Sequence, residues 1–138
     1  MDKGQGIALI FWTSKQLLHL EHSYPNFLKL LNVQSCSSLQ MLLELPPFLQ
    51  TLKAQSCTSL WTLPELPLSL ETLDAQLCSS LQIIPKIPPF LKTLDARDCK
   101  SLQSLPVLPP SLETLNTQSC ISLQTLPELP LLLETLNA

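Results

Sequence analysis

Five cysteines are the residues of this chain whose spacing first suggests chemistry. Each lies 21 residues after the one before it: Cys36, Cys57, Cys78, Cys99 and Cys120. A column of thiols could hold a metal ion or exchange electrons, but zinc sites usually contain clustered pairs such as C-x-x-C, and this sequence has none. Buried cysteine behaves as a small hydrophobe with a weak S–H donor. We therefore expect the five thiols to pack in a core and to satisfy loop backbone groups.

Two carboxylates form the next candidate site. Asp74 and Asp95 are also 21 residues apart, and Arg97 and Asp98 follow two and three residues after Asp95. Adjacent carboxylates can raise one pKa, as in acid–base dyads. Because no glycine loop or histidine accompanies them, we interpret the pair as a solvated acidic patch eased by Arg97, and we predict no enzyme activity.

Histidine and serine supply the remaining reactive side chains. His19 and His22 are three residues apart but lack partners at metal-ligand spacing, so we interpret them as solvated side chains. A serine recurs two residues after every cysteine: Ser38, Ser59, Ser80, Ser101 and Ser122. A nucleophile would not recur in this way without a base. We expect these hydroxyls to bond nearby backbone in turns.

All of these residues belong to one repeated unit of 21 residues, P-x-x-L-x-x-L-x-A-x-x-C-x-S-L-x-x-L-P-x-L. The copies span residues 25–45, 46–66, 67–87, 88–108 and 109–129, with a partial copy at 130–138. Residues 1–24 form either a degenerate first repeat or an N-terminal cap. A fixed period of this length indicates stacked repeats that bury their apolar sides against one another. Below, places are numbered from the proline that opens each unit.

Short strands, and the Pro-rich segments that connect one strand to the next and that we call returns, must position these side chains. Places seven and nine are apolar, with the period of two expected of a short strand of about three residues buried on one face. The prolines of each return exclude a regular helix. We predict a mainly β repeat fold: a right-handed solenoid of short parallel strands, concave on the Thr/Gln side, with Pro-rich, helix-poor convex returns.

The unit resembles the leucine-rich repeat, whose core is L-x-x-L-x-L-x-x-N/C-x-L. The cysteine form with Pro-rich returns, as in LPELPLSLETLDAQLCSSLQ, is most similar to plant intracellular immune receptors of the nucleotide-binding, leucine-rich-repeat class, in particular the TIR-type disease resistance proteins. The resemblance covers residues 25–138. It implies a protein-interaction module for ligand recognition or autoinhibition. Its partner would be a pathogen effector, a host protein or another domain of the parent receptor.

The chain has no phosphate-binding loop, and its only glycines are Gly4 and Gly6, so we expect a fragment without the nucleotide switch, or a short relative.

Two alternatives to the immune-receptor interpretation stay open. Bacterial effector repeats share the rhythm LPxLPxxLxxL, which suggests the substrate arm of a ubiquitin ligase. Those repeats usually carry Asn in place of Cys, run one residue shorter and accompany a catalytic domain. The third possibility is a structural remnant without a ligand.

The partner-binding surface is expected at places six, eight and ten, which alternate with the buried places. Place eight varies most in charge along the stack. The candidate partner-binding residues are Lys53, Asp74, Asp95, Asn116, Thr72, Thr93, Gln76, Arg97, Asp98 and Gln118. Because aromatic anchors are nearly missing there, we expect weak binding through this segment alone.

The composition of the chain argues against nucleic-acid and membrane partners and against secretion. Only eight Lys and Arg are present and the net charge is −3, which argues against nucleic acid. No apolar run has the length of a membrane span. The short stretch from Ile7 to Trp12 is a poor signal peptide, and five widely spaced cysteines do not suggest a disulfide framework. We therefore predict a cytoplasmic protein with no metal and no cofactor.

Overall fold

The computed structural model describes residues 27–42 and 44–138 of the chain. Over these residues the protein forms a solenoid without helices, in which one short strand occurs in each repeat. The strands are β1 (Leu30–Asn32), β2 (Thr51–Lys53), β3 (Thr72–Asp74), β4 (Thr93–Asp95), β5 (Thr114–Asn116) and β6 (Thr135–Asn137). They form a single six-stranded sheet in sequence order, and every pair is parallel. The predicted fold class is confirmed.

Each strand is aligned with its neighbours so that equal places of the repeat face each other. Leu52 pairs with Leu73, and Leu73 pairs with Leu94. A shift by one residue would turn every apolar side chain to the opposite face, so the buried leucines determine this register. The prolines act just before each strand: the N–H of Leu70 bonds the carbonyl of Pro67 at 3.1 Å, which closes a turn that leads into β3.

The core is a set of leucine columns that run along the stack. The leucines at places four, seven and fifteen have essentially no exposed surface in the central repeats, and Leu73 is 0% exposed. Place nine, directly after each strand, holds small buried residues, for example Ala75 and Ala96. β6 is the last strand of the sheet, and Leu136 on it is 42% exposed because only β5 adjoins it. The predicted alternation of buried places seven and nine is confirmed in the central repeats.

The cysteines pack as predicted, and their hydrogen bonds join neighbouring repeats. The thiol of Cys78 donates to the carbonyl of Ala54 at 2.9 Å, and that of Cys99 donates to Ala75 at 3.0 Å. Burial raises the pKa of the Cys78 thiol to about 11 and that of Cys57 to about 12, although a backbone hydrogen bond from the preceding cysteine opposes this. The thiols are therefore protonated at neutral pH.

The residue before each cysteine adopts a left-handed backbone conformation, which the sequence did not indicate because none of these residues is glycine. The φ angles lie between 60° and 65° at Ser35, Ser56, Leu77, Asp98 and Ser119. This turn ends the strand and points the cysteine inward. Its N–H groups reach the next repeat: Leu77 donates to the carbonyl of Arg97 at 2.8 Å. At Ser35, Ser56, Leu77 and Asp98, a hydrogen bond to the next repeat thus offsets the unfavourable φ.

The prediction for the recurrent serines was wrong in its detail. Of the five, only Ser122 forms a side-chain bond to the described backbone, and its acceptor is Lys100 in the preceding repeat, at 2.6 Å. For Ser122, the neighbouring coil rather than the local turn supplies the acceptor carbonyl.

Two predictions concern parts of the chain outside the described residues. Residues 1–24 belong to that part, so their interpretation as a degenerate first repeat or an N-terminal cap stays a prediction, and so does the solvated state of His19 and His22.

Within residues 27–42 and 44–138, no helix has the length and apolar character needed to cross a membrane.

Candidate protein-interaction surface

The ten predicted partner-binding residues lie on or beside one face of the sheet. We call the side chains at places six, eight and ten the sheet face. On it, Lys53, Asp74, Asp95 and Asn116 occupy equal positions on β2 to β5 and are neighbours in the register. Adjacent parallel strands are about 4.8 Å apart, so these four side chains form one continuous row. Thr72 and Thr93 form a second row at the start of the strands.

The side chain at place eight also stabilises a turn, a role that the sequence analysis did not predict. Its side-chain oxygen accepts the backbone N–H of place ten. Gln76 donates in this way to Asp74 at 3.3 Å, and Arg97 donates to Asp95 at 3.1 Å. Asn116 accepts the N–H of Gln118 at 3.0 Å. This is an Asx turn, which asparagine and aspartate form equally well. Where place eight is Asp or Asn, the turn uses the side-chain oxygen and does not require a negative charge, as Asn116 shows. Lys53 holds the same place without an oxygen acceptor.

Long polar side chains tie the acidic row to its neighbours. The amides of Gln55 and Gln76 both donate to the carboxylate of Asp74, the latter at 3.2 Å. The guanidinium Nη2 of Arg97 donates to Gln76 Oε1 at 2.5 Å, and its Nε lies 3.7 Å from Asp98 Oδ2. These contacts hold the side chains of three successive repeats in one network. Such a surface loses less side-chain freedom when a partner binds.

The ionised form of Asp95 is destabilised within this network. Its pKa is raised, chiefly because the surrounding protein partly desolvates the carboxylate, and the adjacent charge of Asp74 adds to the effect. The backbone N–H and the charge of Arg97 oppose it without cancelling it. A cationic group placed over Asp74 and Asp95 would relieve this penalty, because an opposite charge favours the ionised form.

The structure brings the predicted residues together, with differences in their roles. Gln118 lies at the rim, where its carbonyl accepts the N–H of Asp98 at 2.8 Å. Asp98 occupies the left-handed turn and approaches Arg97 rather than the row at place eight. Gln55 was not among the predicted residues, although it bonds Asp74. The sequence shows only that glutamine recurs at place ten, and the contact depends on a residue in the next repeat.

Aromatic side chains lie elsewhere on the described surface. Trp61 is partly exposed on the descending side of its repeat, in a shallow recess between Gln40 and Gln82. Among residues 27–42 and 44–138, no group of three or more His, Cys, Asp or Glu side chains could hold a metal ion.

Comparison of the chain with family models, with curated proteins and with solved structures finds no match. The fold and the surface define a repeat solenoid with a polar sheet face.

Proposed function

We propose that the sheet face binds a protein partner and that the chain is the interaction module of an intracellular immune receptor of the plant nucleotide-binding, leucine-rich-repeat class. The repeat pattern supports the class, because its leucines, cysteines and Pro-rich returns resemble those receptors. One observation supports the surface: Asp74 and Asp95 carry charges that their turns do not need. Asparagine would serve the fold equally well, as Asn116 does.

The chemistry of the face indicates the kind of partner. Two adjacent carboxylates, with amides and hydroxyls around them, suit an extended polar segment that presents a Lys or Arg side chain. Lys53 adjoins Asp74 in the row, and Arg97 follows Asp95 in its turn, so both would repel a second cation. Because such faces lack large apolar anchors, affinity from this segment alone is low, and neighbouring parts of a receptor would add to it. Both ligand recognition and restraint of another receptor domain would use this surface.

A charge-only substitution tests the surface. The double variant Asp74→Asn, Asp95→Asn keeps both turn acceptors and removes both charges, whereas Glu65→Gln removes an exposed charge outside the sheet face. The three proteins, each immobilised at equal density, are incubated with plant extract, and the bound proteins are quantified by mass spectrometry. We expect a partner that the wild type and Glu65→Gln retain and the double variant loses, with binding that weakens as salt rises. Substitution of the partner's basic residues should then reproduce the loss. Identical sets of bound proteins for all three would refute the proposal.

The parent reading frame tests the class independently. A neighbouring phosphate-loop domain supports the immune receptor. A neighbouring domain with a catalytic cysteine would instead support the effector-type ligase, and a frame with neither would favour a structural remnant.

A further inference from the structure

A second surface of the solenoid is apolar and lies at the turns that precede the strands. We call the side chains at places two and three the entry edge. Phe48 is 60% exposed there, Leu68 is 70% exposed and Phe90 is 63% exposed. Large apolar side chains in a continuous exposed row mark an interaction site. This row lies outside the sheet face, so the proposed partner site does not account for it.

The entry edge alternates between large and small residues. Along the stack, place three holds Phe27, Phe48, Ser69, Phe90, Ser111 and Leu132. The two serines are folded back onto the preceding repeat: Ser69 donates to the carbonyl of Leu49 at 2.7 Å, and Ser111 donates to that of Leu91 at 2.7 Å. Phe48 and Phe90 are two repeats apart, about 10 Å at the usual strand spacing. The gap over Ser69 is therefore wide enough for one aromatic ring.

We propose that the entry edge binds the entry edge of a second copy of this chain, antiparallel, about a two-fold axis between Ser69 and Phe90. This axis places each Phe90 over Ser69 of the other copy and each Phe48 over Ser111 of the other copy. Four rings, contributed alternately by the two copies, then follow one another at about 5 Å, which is within the range of favourable aromatic pairs. The same axis sets Phe27 against Leu132.

The charges beside the entry edge agree with this axis. A two-fold rotation reverses the order of the repeats. It also exchanges the two sides of the entry edge, one of which leads into the strand while the other comes from the Pro-rich return. Place five of one copy therefore faces place twenty of the other. Glu71 then faces Lys86, and Lys92 faces Glu65. Glu65 borders the same recess as Leu68, which places it at the edge. Lys92 and Glu71 lie at the edge as a half-exposed pair with 4.0 Å between Nζ and Oε1.

Other registers are less favourable, and this selects one arrangement. Moving the axis by one repeat in either direction sets Glu71 against Glu44 or against Glu128. In the proposed register, the like-charged contact is between Glu44 and Glu113, toward the ends of the edge. Because the two-fold contact is self-complementary, it closes at two copies and does not form a fibre.

The size of the edge indicates a weak dimer. Six turns at the strand spacing span about 25 Å, which gives an interface near or below the lower limit for stable complexes. We therefore expect dissociation constants in the micromolar range. The axis leaves the two sheet faces pointing in opposite directions, so the dimer presents two partner sites.

The association of the whole chain in solution tests the proposal. Sedimentation velocity over a range of concentrations, with a reductant present, should show a reversible monomer–dimer equilibrium. Phe90→Ser removes two of the four rings and should weaken dimerisation about tenfold or more. Ile83→Ser is the matched control, because Ile83 is also an exposed apolar residue, at 56%, but lies away from the entry edge. It should leave the equilibrium unchanged.

Charge reversal tests the register. Lys86→Glu should weaken the dimer about fivefold at low salt, because it faces Glu71 of the other copy. Adding Glu71→Lys to Lys86→Glu should restore the affinity. Glu113→Lys removes the like-charged contact with Glu44 and should tighten the dimer. Thermal unfolding of every variant checks the fold.

Several results would overturn the proposal. A chain that stays monomeric throughout would do so, including one that instead binds lipid vesicles or another protein through this edge. So would equal effects of Phe90→Ser and Ile83→Ser, or a double charge reversal that associates no better than Lys86→Glu alone.

Discussion

Truncation of two leucines of the same column, one buried in the middle of the stack and one on the last strand, provides a direct test of how the solenoid is stabilised. Leu73 and Leu136 occupy the same place of the repeat, on β3 and β6. Leu73 is 0% exposed and lies between Leu52 and Leu94, whereas Leu136 is 42% exposed and pairs only with Leu115. The two alanine substitutions therefore remove the same atoms from very different surroundings.

The expected magnitudes follow from these surroundings. At Leu73 the lost burial of three carbon groups is worth about 2 kcal/mol, and the cavity between two fixed neighbours adds to it. We expect Leu73→Ala to lower the free energy of unfolding by roughly 3–5 kcal/mol. At Leu136 part of the side chain already contacts water and can relax, so the loss should be about 1 kcal/mol or less. Thr72→Ala, on the sheet face, should also lose well under about 1 kcal/mol.

Urea unfolding followed by far-ultraviolet circular dichroism measures these differences, with all samples at one low concentration so that association does not contribute. In a stacked repeat protein, stability is approximately a sum of repeat terms and nearest-neighbour interface terms. An interior residue should therefore affect two interfaces and a terminal one only one. Equal losses for Leu73→Ala and Leu136→Ala would show that the leucine column does not stabilise the stack in this way. A loss at Thr72 that equals the loss at Leu73 would show that the two faces of the sheet are assigned wrongly.

Three further predictions concern strain and titration. Leu77→Asn should raise stability by about 0.5–1 kcal/mol in urea unfolding, because asparagine tolerates the left-handed backbone at φ 62°, whereas Leu68→Asn, at an exposed leucine outside the left-handed turns, should not. Stability should fall as pH rises from about 9 toward 11, since the Cys78 and Cys57 thiols have folded pKa values of about 11 and 12 against 9.0 for an unperturbed thiol. Only the unfolded chain ionises them in that window, so the contribution is complete below pH 9 and is lost as pH increases. Asp95→Asn should raise the urea midpoint at neutral pH, because the folded-state pKa of Asp95 is raised, and its advantage should disappear in acid, where Asp95 is itself neutral.

Each of these predictions has a result that would contradict it. Equal effects of Leu77→Asn and Leu68→Asn would mean that the turn is not strained. An alkaline loss of stability that persists after Cys57 and Cys78 are both replaced by serine would assign it to other groups. An Asp95→Asn protein that is less stable than wild type at neutral pH would show that asparagine does not replace the acceptor for the N–H of Arg97.

Much of the fold could be predicted from the sequence because the period is constant. Leucine at place seven and alanine at place nine indicate a strand with one buried face, and the structure has β3 and β4 there. Prolines in each return exclude helices in the described repeats. Cysteine at place twelve indicates burial. Each of these inferences depends only on residues that are close in the chain.

The partner surface was predicted less completely. Asp74 and Asp95 were expected to be neighbours, because equal places of stacked repeats must adjoin. Their turn-forming role and the contact of Gln55 with Asp74 were not expected. The entry edge was also missed, since Phe48 and Phe90 stand among prolines in segments that look like simple connections.

The sequence by itself determined that the chain stacks in parallel and in register. Leucine recurs at an unchanging interval, and any other alignment would expose the apolar face to water. The tertiary structure decided which polar groups meet: a thiol and a carbonyl 24 residues away at Cys78 and Ala54, or an arginine and an amide 21 residues away at Arg97 and Gln76. These partners come within reach only after the coils have stacked, because the distance between them is set by the packing of neighbouring repeats and not by any local pattern of residues.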